Sequence, residues 1–376
     1  TKILKKQKIL NNLSAILMTI NHKYYLDLAF QIAEKNLGKT GLNPSVGTVI
    51  VKNNSIISSG VTSVNGRPHA ESNALNKNIN FTGSDLYTTL EPCTHYGVTS
   101  PCVNIIVKKK IKNVYYSFND PDKRTHKKAK TFLMGKKINV KNIKSSNFRD
   151  FYTSYFYNKK FNLPYISAKI AISKDLFSIN KKTKWITNEH SKKVTHLIRS
   201  KNDCIISTSK SINADNSLLN CRINGLNNFK PDLFIIDLHL KLKKNLLLEK
   251  IINKRKTFLI TRNNNTNKTL FYKKKGYKIV LIKNLEKKND FINMFKKMYK
   301  LGYRRIFFET GLTFLNSLIN HKLLNMLYIF QNNKELGKNG YNNNPKKFIN
   351  KIKLNNKINV NLNDDNLYSV NLKKNV

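Results

Sequence analysis

Residues 90–102 read LEPCTHYGVTSPC and hold two of the four cysteines in this chain of 376 residues. Cys93 and Cys102 flank His95 in a stretch that has neither the period of a strand nor that of a helix. Two cysteines placed in this way can form a disulfide or bind a metal ion. A metal site would need a third ligand from another part of the chain, and the fold interpretation depends on that ligand.

A candidate third ligand lies upstream in the segment RPHAES, where His69 is followed by Glu71. H-x-E followed by P-C and a second cysteine is the signature of zinc-dependent deaminases, although the two cysteines usually lie closer together. One imidazole, two thiolates and a water give a four-coordinate zinc with an open catalytic position. Glu71 would then be the general acid/base that takes the proton of the water and delivers it to a ring nitrogen and to departing ammonia.

The pattern also predicts how the three ligands meet. We expect His69 and Cys93 each to open a helix, and the eight-residue loop after Cys93 to return Cys102 to the same metal. The two cysteines could instead be small buried core residues. The complete pattern, H-A-E, then E-P-C-x-H-x-G, then P-C, favours the zinc site. His95 is predicted to contact the substrate, with a solvated loop residue as the alternative.

The formal net charge of +48 would normally suggest a nucleic acid or an anionic membrane as a partner. Lys, Asn and Ile, which all have A/T-rich codons, are abundant together, and the basic residues are spread over the whole chain. We therefore attribute the charge to codon bias and predict neither a nucleic-acid nor a membrane partner. No apolar run is long enough to cross a bilayer, and so few cysteines in a long chain indicate a reducing cytoplasm.

The first half of the chain alternates strands and helices, which favours a parallel or mixed α/β layer. Predicted helices cover Tyr24–Asn36, His69–Asn76 and the run CVNIIVKKK, and predicted strands cover Thr48–Val51, Ser55–Ser58, Asp85–Leu90 and residues 113–118. Residues 1–17 carry no motif, and we expect them to be an upstream extension that precedes a true start at Met18. The first domain is predicted to cover residues 18–163.

The polar-aromatic segment 145–163, followed by Pro164, is where we expect the interdomain linker. The second domain is predicted at residues 164–376. Its predicted strands cover residues 165–172, 204–209, 233–237, 257–261, 278–282, 304–309 and 326–330, and its predicted helices 191–200, 291–299 and 314–320. It contains no G-x-G-x-x-G, which argues against a Rossmann domain. The segment 337–347 is predicted to be a loop.

Several of these segments together resemble a known family. NPSVGTVIV at 43–51, HAES at 69–72, TTLEPCTHYGVTSPC at 88–102 and NDPD at 119–122 are similar, in that order, to the bacterial bifunctional deaminase/reductases of riboflavin biosynthesis. The wide cysteine spacing favours this family over the tRNA-adenosine and cytidine deaminases. The similarity continues between residues 164 and 319 in PYISAKIAISKD, TKWIT, HLIRSKNDCII, INADNSLLNCR and FFETGLTFLNSLI.

The resemblance implies a cytidine-deaminase-like α/β/α sandwich followed by a dihydrofolate-reductase-like α/β domain. The first domain would use zinc to deaminate 2,5-diamino-6-ribosylamino-4(3H)-pyrimidinone 5′-phosphate. The second would use NADPH to reduce the ribosyl chain and give 5-amino-6-(5-phosphoribitylamino)uracil. The resemblance also implies a homo-oligomer that acts on a small molecule.

Motif positions within the family assign further site residues. In the first domain, Asn43 and His95 would contact the pyrimidine. In the second, the implied substrate-binding residues are Lys169, Thr183, Arg199, Leu219, Arg222 and Glu309. The implied NADPH-binding residues are Ala171, Trp185, Ser211, Asp215, Gly311, Leu312, Thr313 and Phe314. Arginines suit a sugar phosphate, and helix N-terminal amides suit a cofactor phosphate.

These assignments have structural alternatives. Trp185 could be a core residue, and Asp215 could be a cap of a turn. Glu309 ends an apolar strand, where a carboxylate without a partner is costly, so it is the stronger functional candidate.

Some positions depart from the family pattern. Thr62 stands where a histidine is usual, Val98 where a basic residue approaches the substrate phosphate, Leu176 where glycine is usual, and Leu233 where arginine is common. Loss of a phosphate contact should weaken substrate binding more than chemistry. We expect the reductase half to be the more eroded. A deaminase-only protein, a nucleoside or tRNA deaminase, and a non-catalytic zinc protein that binds nucleic acid are the alternatives.

Overall fold

The computed structural model describes residues 22–145, 147–226, 231–262, 266–343, 352, 354 and 356–373. The chain divides into two compact units, and the boundary between them falls between Phe161 and Asn162. The predicted extension at 1–17 lies outside the described residues. In the part of the chain that the structure describes, no helix is both long and apolar enough to cross a lipid bilayer.

The first unit is built on a five-stranded sheet with the order β2-β1-β3-β4-β5. Its strands are β1 (Gly47–Lys52), β2 (Ser55–Val61), β3 (Asp85–Leu90), β4 (Asn113–Phe118) and β5 (Asn139–Asn142). Strand β1 is antiparallel to β2 and β3, whereas β3, β4 and β5 are parallel. The helices are α1 (residues 22–34), α2 (Ala70–Leu75), α3 (Cys102–Lys108), α4 (Lys128–Gly135) and α5 (Thr153–Phe161), with a 3-10 helix at Val64–Gly66.

Alternate residues of each strand pack on opposite faces of this sheet, as the pleat of a strand requires. Ile50 and Leu86 pack with residues of α2, α3 and α4 on one face. Val49 and Tyr87 pack with residues of α1 on the other. The predicted α/β/α sandwich is confirmed.

Two asparagines close the predicted hairpin between β1 and β2. Asn53 and Asn54 have φ angles of 50° and 59°, the left-handed conformation that a two-residue type I′ turn needs at both positions. Asparagine tolerates this conformation better than most residues because its short side chain bonds locally. The Asn-Asn pair was therefore a reliable turn signal.

The linker predicted at 145–163 contains the boundary between the two units, but most of its residues belong to the first unit and are not a linker. Residues 153–161 form α5, and Tyr152 is 2% exposed. The Tyr152 hydroxyl lies 2.6 Å from Thr89 Oγ1 and donates to the Ser45 carbonyl at 3.0 Å. The aromatic rings of this segment pack against Phe30 and are part of the core of the first unit. The polar residues between them made the segment look like a linker in the sequence.

The second unit contains an eight-stranded sheet with the order β11-β10-β9-β8-β12-β6-β13-β15. All neighbouring strands are parallel except β13 and β15. The strands of the unit are β6 (Tyr165–Ile172), β7 (Ile179–Asn180), β8 (Cys204–Thr208), β9 (Asp232–Ile236), β10 (Thr257–Thr261), β11 (Lys278–Leu281), β12 (Arg305–Phe308), β13 (Met326–Asn332), β14 (Gly340–Tyr341) and β15 (Asp365–Asn371).

Helices cover both faces of this sheet. They are α6 (Glu189–Ser200), α7 (Ser209–Asp215), α8 (Thr266–Lys274), α9 (Lys288–Lys300) and α10 (Leu312–Asn320), with 3-10 helices at Leu247–Lys254 and Gly337–Asn339. Alternate strand residues such as Phe307 and Phe308 belong to two different core clusters, one on each face. Buried parallel strands read as continuous apolar runs, which is why the sequence predicted them well.

Two features near the C-terminus differ from the sequence expectations. Strand β15 was not predicted, because its sequence DNLYSVN has only Leu367, Tyr368 and Val370 as apolar residues and forms neither an apolar run nor a clean alternation. The segment 337–347 is only partly a loop, since Gly340–Tyr341 pairs with Ile179–Asn180. Residues 344–347 of that segment lie outside the described residues.

Candidate active sites

The three predicted metal ligands lie together in the first unit. The Nδ1 atom of His69 is 3.6 Å from Cys93 Sγ and 3.4 Å from Cys102 Sγ. All three donor atoms lie within 4.8 Å of one another. Tetrahedral zinc with ordinary Zn–N and Zn–S bond lengths holds such atoms roughly 3.5 Å apart. One imidazole and two thiols at these distances therefore fit a zinc ion and leave a fourth position for water.

The backbone brings these donors together through two helix starts and a loop. His69 caps the N-terminus of α2, and Cys102 is the first residue of α3. The expectation that Cys93 opens a helix is wrong, because α3 does not begin until after Pro101 and Cys93 lies in the irregular segment after β3. The Cys102 backbone N–H donates to Cys93 Sγ at 3.2 Å, so the start of α3 stabilises negative charge on that sulfur.

The Cys93 sulfur is prepared for metal binding. Hydrogen bonds from Cys102 and His69 lower the pKa of the Cys93 thiol to about 4. A thiolate is the form of cysteine that binds metals. The hydrogen bonds to Cys93 therefore favour the form of its sulfur that binds a metal ion.

Glu71 lies in the first turn of α2, two residues after His69, and is only 4% exposed. Its carboxyl group is within hydrogen-bonding reach of the Cys102 thiol. Burial, followed by the negative charge of Cys93, raises the pKa of Glu71 to about 7. A carboxyl group with a pKa near the working pH can both accept and donate a proton, as a general acid/base must.

Asn43 and His95 border this site through the loops that carry them. Asn43 Nδ2 donates to the carbonyl of Gly66, just before the RPHAES segment. His95 is half-buried, and its Nδ1 atom lies 3.0 Å from Thr125 Oγ1. The structure therefore does not support the alternative of a freely solvated His95. The substrate contacts of both residues stay predictions.

Glu91 is a residue of the same motif whose role sequence reasoning missed. Its buried carboxylate accepts hydrogen bonds from the backbone N–H groups of Asp120, Lys127 and Ala129, at 3.1, 3.0 and 3.1 Å. It thereby fixes the segment that carries Thr125, the partner of His95. The signal was available, since Glu91 follows an apolar strand just as Glu309 does.

A buried ion pair organises the candidate site of the second unit. Arg199 Nε lies 2.5 Å from Glu309 Oε1, and Arg199 Nη2 lies 2.9 Å from Glu309 Oε2. Both residues are 9% exposed. The predicted need of Glu309 for a partner is thus met by another predicted site residue. Arg199 Nη1 also donates to the Asn220 carbonyl at 2.9 Å.

Three further predicted residues surround this pair. Lys169 is half-buried on β6, and burial lowers its pKa despite the opposing effect of Glu309. Burial raises the pKa of Asp215, at the end of α7. The Arg222 backbone N–H donates to His196 Nδ1 at 3.1 Å, and the Arg222 guanidinium donates to Asn220 Oδ1 at 2.6 Å. Lys169 and Arg222 place positive charge near Glu309, which suits an anionic ligand.

Thr183 and Trp185 lie in an exposed segment before α6. Thr183 Oγ1 accepts from Asn180 and donates to the Trp185 carbonyl at 3.0 Å. Trp185 is 53% exposed, so the alternative that it is a core residue is wrong. The ammonium of Lys192 lies 4.2 Å from its ring centroid, which holds the ring in place by a cation–π contact.

The remaining predicted cofactor residues lie at strand ends and helix starts. Ser211 is in the first turn of α7, where its backbone N–H bonds to Thr208 Oγ1. Gly311 caps α10, the helix that contains Leu312, Thr313 and Phe314, and a Cβ atom on Gly311 would meet nothing within 4 Å. Ala171 is on β6, with its side chain against a small core cluster. Gly311 is exposed at the start of α10, where the first backbone N–H groups of a helix can bind a phosphate.

Leu219 is a predicted substrate residue whose side chain is buried in the core. Its side chain is 6% exposed and packs in the core. Its backbone has a φ of 47°, and its carbonyl accepts a hydrogen bond from Arg255. Arg255 also bonds the carbonyls of Pro231 and Leu218, at 3.1 and 2.6 Å. Sequence reasoning missed Arg255, a buried cation that shapes the turn leading to Arg222.

Comparisons with known proteins agree with this arrangement of two sites. Residues 19–118 match the family described as cytidine and deoxycytidylate deaminase zinc-binding region, and residues 164–363 match the RibD C-terminal domain. Riboflavin biosynthesis protein RibD of Aquifex aeolicus is 30% identical over 321 residues, which cover 84% of this chain and 88% of the relative.

Two solved structures share the fold over nearly the whole chain. RibD of Acinetobacter baumannii has a TM-score of 0.79 at 21% identity, and covers 94% of this chain and 99% of its own. A deaminase/reductase of Thermotoga maritima has a TM-score of 0.78 at 21% identity, with the same coverage. The chain belongs to the RibD family, the zinc- and NADPH-dependent bifunctional deaminase/reductases of riboflavin biosynthesis.

Proposed function

We propose that the first unit deaminates 2,5-diamino-6-ribosylamino-4(3H)-pyrimidinone 5′-phosphate and that the second unit reduces the ribosyl chain of the product. The observation that carries the proposal is the buried carboxyl group of Glu71 beside three donor atoms spaced for zinc. A site that only held a structural metal would have no use for an ionisable group at this position.

In the deaminase site, His69, Cys93 and Cys102 would hold the metal. Zinc, when bound, supplies Lewis acidity and lowers the pKa of a water ligand toward neutrality. Glu71 accepts a proton from the attacking water and passes it to the ring nitrogen. It then takes the remaining proton from the added hydroxyl group and delivers it to the amino group, which leaves as ammonia while the ring carbonyl forms. Asn43 and His95 orient the pyrimidine. The raised pKa of Glu71 lets one group serve in both directions.

In the reductase site, NADPH, when bound, supplies a hydride to the sugar carbon. We assign its phosphates to the start of α10, at Gly311–Phe314, and its remaining contacts to Ala171, Trp185, Ser211 and Asp215. Arg222 places a guanidinium for the substrate phosphate, since a guanidinium can bind phosphate through two hydrogen bonds. Arg199, the other predicted phosphate-binding residue, has its Nε and Nη2 donors on Glu309 and its Nη1 donor on the Asn220 carbonyl, so it would act by its charge and by holding Glu309. Lys169 and Thr183 would contact the ribose, and Leu219 could contribute only through its backbone.

We further propose a cytoplasmic homo-oligomer that acts on this small molecule and not on nucleic acid. The basic residues are distributed along the whole chain, which fits codon bias better than an evolved nucleic-acid surface. Deamination of tRNA or cytidine in place of the pyrimidinone phosphate would contradict this proposal.

The test is a product analysis on the zinc-loaded full chain, with the pyrimidinone phosphate as substrate. Mass spectrometry should show exchange of one amino group for oxygen without NADPH, and an added pair of hydrogens with it. Exchange without reduction would mean that the second unit has lost its activity. If neither change occurs on zinc-loaded protein, the substrate assignment is wrong.

A further inference from the structure

Arg67 reaches from the RPHAES segment to the loop that joins the two zinc-binding cysteines. Its Nη1 atom donates to Thr99 Oγ1 at 2.6 Å. A Cβ atom built on Gly97 would lie 3.4 Å from Arg67 Nη2, so the guanidinium lies against the backbone of this loop. Arg67 is also only two residues before His69. Arg67 therefore belongs to the segment that carries His69, and its guanidinium contacts the loop between Cys93 and Cys102.

The charge of Arg67 is not neutralised within the described part of the chain. Its recorded hydrogen bond is to a hydroxyl, and no carboxylate among the described residues forms an ion pair with it. Arg124, on the neighbouring loop, differs in this respect, because Asp122 binds it through both carboxylate oxygens. A half-buried guanidinium with free donors and no counter-ion is suited to bind an anion.

The loop itself offers no lysine or arginine for that purpose. Residues 94–101 read THYGVTSP, and Val98 is 86% exposed at the tip. The proposed substrate nevertheless carries a doubly charged phosphate that has to be held while its ring lies at Glu71. Arg67 brings to this loop the guanidinium that its own sequence lacks.

We propose that Arg67 binds the phosphate of the deaminase substrate and makes the first unit selective for phosphorylated over unphosphorylated pyrimidines. This assignment rests on the proposed function of the first unit. The Arg67 guanidinium would donate to phosphate oxygens, either in place of its hydrogen bond to Thr99 or in addition to it. The contact is made equally in the bound and the reacting state, so it should act on substrate affinity and not on the chemical step.

The test compares Arg67→Ala, Arg67→Lys and the unchanged chain, each loaded with zinc, on the substrate and on its dephosphorylated form. For the phosphorylated compound, Arg67→Ala should raise KM roughly tenfold or more while kcat changes by less than about threefold. Arg67→Lys keeps the positive charge but loses the paired N–H donors of the guanidinium, so its KM should lie between those of Arg67→Ala and the unchanged chain. For the dephosphorylated compound, kcat/KM should be the same in all three proteins.

An equilibrium measurement separates binding from turnover. In a Glu71→Gln background the substrate stays intact, and the added Arg67→Ala change should raise its Kd by the same roughly tenfold factor. Arg149→Ala is the matched control, since it removes an exposed arginine from the segment 147–150, which carries no site residue. That control should leave both KM and Kd unchanged.

The outcomes distinguish the two proposals. An unchanged KM and Kd for Arg67→Ala, in a chain that deaminates the phosphate, would overturn the assignment of Arg67 alone. An equal loss of kcat/KM for the phosphorylated and dephosphorylated compounds would also overturn the assignment, because such a result would show a general disturbance of the loop. A chain with bound zinc that deaminates neither compound would overturn the proposed function and this assignment together.

Discussion

The two candidate sites are assembled over very different distances along the chain. The zinc donors and Glu71 lie between residues 69 and 102, at the start of α2, after β3 and at the start of α3, which follow one another along the chain. The ion pair and its neighbours in the second unit are drawn from residues 169 to 309. A site made of adjacent segments leaves a compact motif in the sequence, whereas a dispersed site leaves single residues that only the topology can connect.

The strand order of the second unit supplies that connection. Strand β12 lies between β8 and β6, and the parallel register pairs Phe308 with Ala168. The next residues, Glu309 and Lys169, therefore come side by side at the same end of the sheet. Parallel strands place their carboxyl ends at one edge, which is where ligands bind in open α/β sheets. The difference between the sites can be tested by removing charges from each.

The largest effect is expected from Glu71→Gln in the compact site. The amide cannot move protons, so kcat for deamination should fall by roughly a thousandfold. Zinc content and reductase turnover should be unchanged, because Glu71 is not a ligand and belongs to the first unit. Metal analysis and separate assays of the two half-reactions measure this. Glu34→Gln, an exposed carboxyl group of α1, is the control, and a Glu71→Gln protein with at least a tenth of the activity would refute the catalytic role.

In the dispersed site, Glu309→Gln should be destabilising as well as inactivating. It leaves Arg199 buried without its counter-ion, and breaking such a pair costs about 3 kcal/mol of unfolding free energy. Trp185 is the only tryptophan and lies in the second unit, so its fluorescence reports on that unit. Replacing both partners with Met and Leu should recover most of the stability but not the reductase activity.

The control for this pair is Glu335→Gln, which removes an ion pair with Lys174 whose side chains are both more than 60% exposed. Exposed ion pairs contribute little to stability, so the denaturation midpoint measured by Trp185 fluorescence should barely change. Equal destabilisation by the two substitutions would show that burial is not what makes the Arg199–Glu309 pair important.

His196 should make the second unit sensitive to acid. Burial, followed by the charges of Arg199 and Arg222, lowers its pKa from 6.5 to about 4. As the pH falls, His196 therefore takes up a proton in the unfolded chain before it does so in the folded unit, and this favours unfolding. The unit should lose up to about 3 kcal/mol of stability as the pH falls from 6.5 to 4. His196→Asn keeps an acceptor near the Nδ1 position. Denaturation measured across this pH range should show that the variant loses less stability than the unchanged chain as the pH falls. Equal losses of stability in the two proteins would show that His196 is not the group responsible.

The smallest effect is expected from Glu91→Gln, which acts on the compact site from outside it. One carboxylate oxygen becomes an N–H group facing backbone donors, at a cost of about 1 to 2 kcal/mol. We expect faster hydrogen exchange over residues 120–129 and a KM for deamination raised a few-fold, with kcat nearly unchanged. Asp150→Asn, an exposed carboxylate, is the control. Unaltered exchange in that segment would show that Glu91 does not hold it.

Sequence reasoning predicted the elements best where their burial is simple. Strands β3, β6 and β10 were predicted to the residue, because strands buried on both faces are continuous apolar runs. It failed at the segment that ends in α5 and at β15, whose core contacts come from scattered residues such as Tyr152, just before α5, and Leu367 in β15. Leu176 shows another limit. Its φ of 66° lies in the left-handed region that favours glycine, and a leucine in the sequence gives no signal of such a backbone angle.

The sequence by itself determined the chemistry of the first site and the family. The residue types at 69, 71, 93 and 102 and their spacing suffice, since zinc selects its ligands by atom type and two helix starts and the loop between the cysteines present them locally. Only the tertiary structure decided which charges share a site: that Arg199 pairs with Glu309, that Glu91 holds the segment of Thr125, and that Arg67 reaches Thr99. These contacts depend on side-chain reach between segments distant in sequence, and no local pattern records such distances.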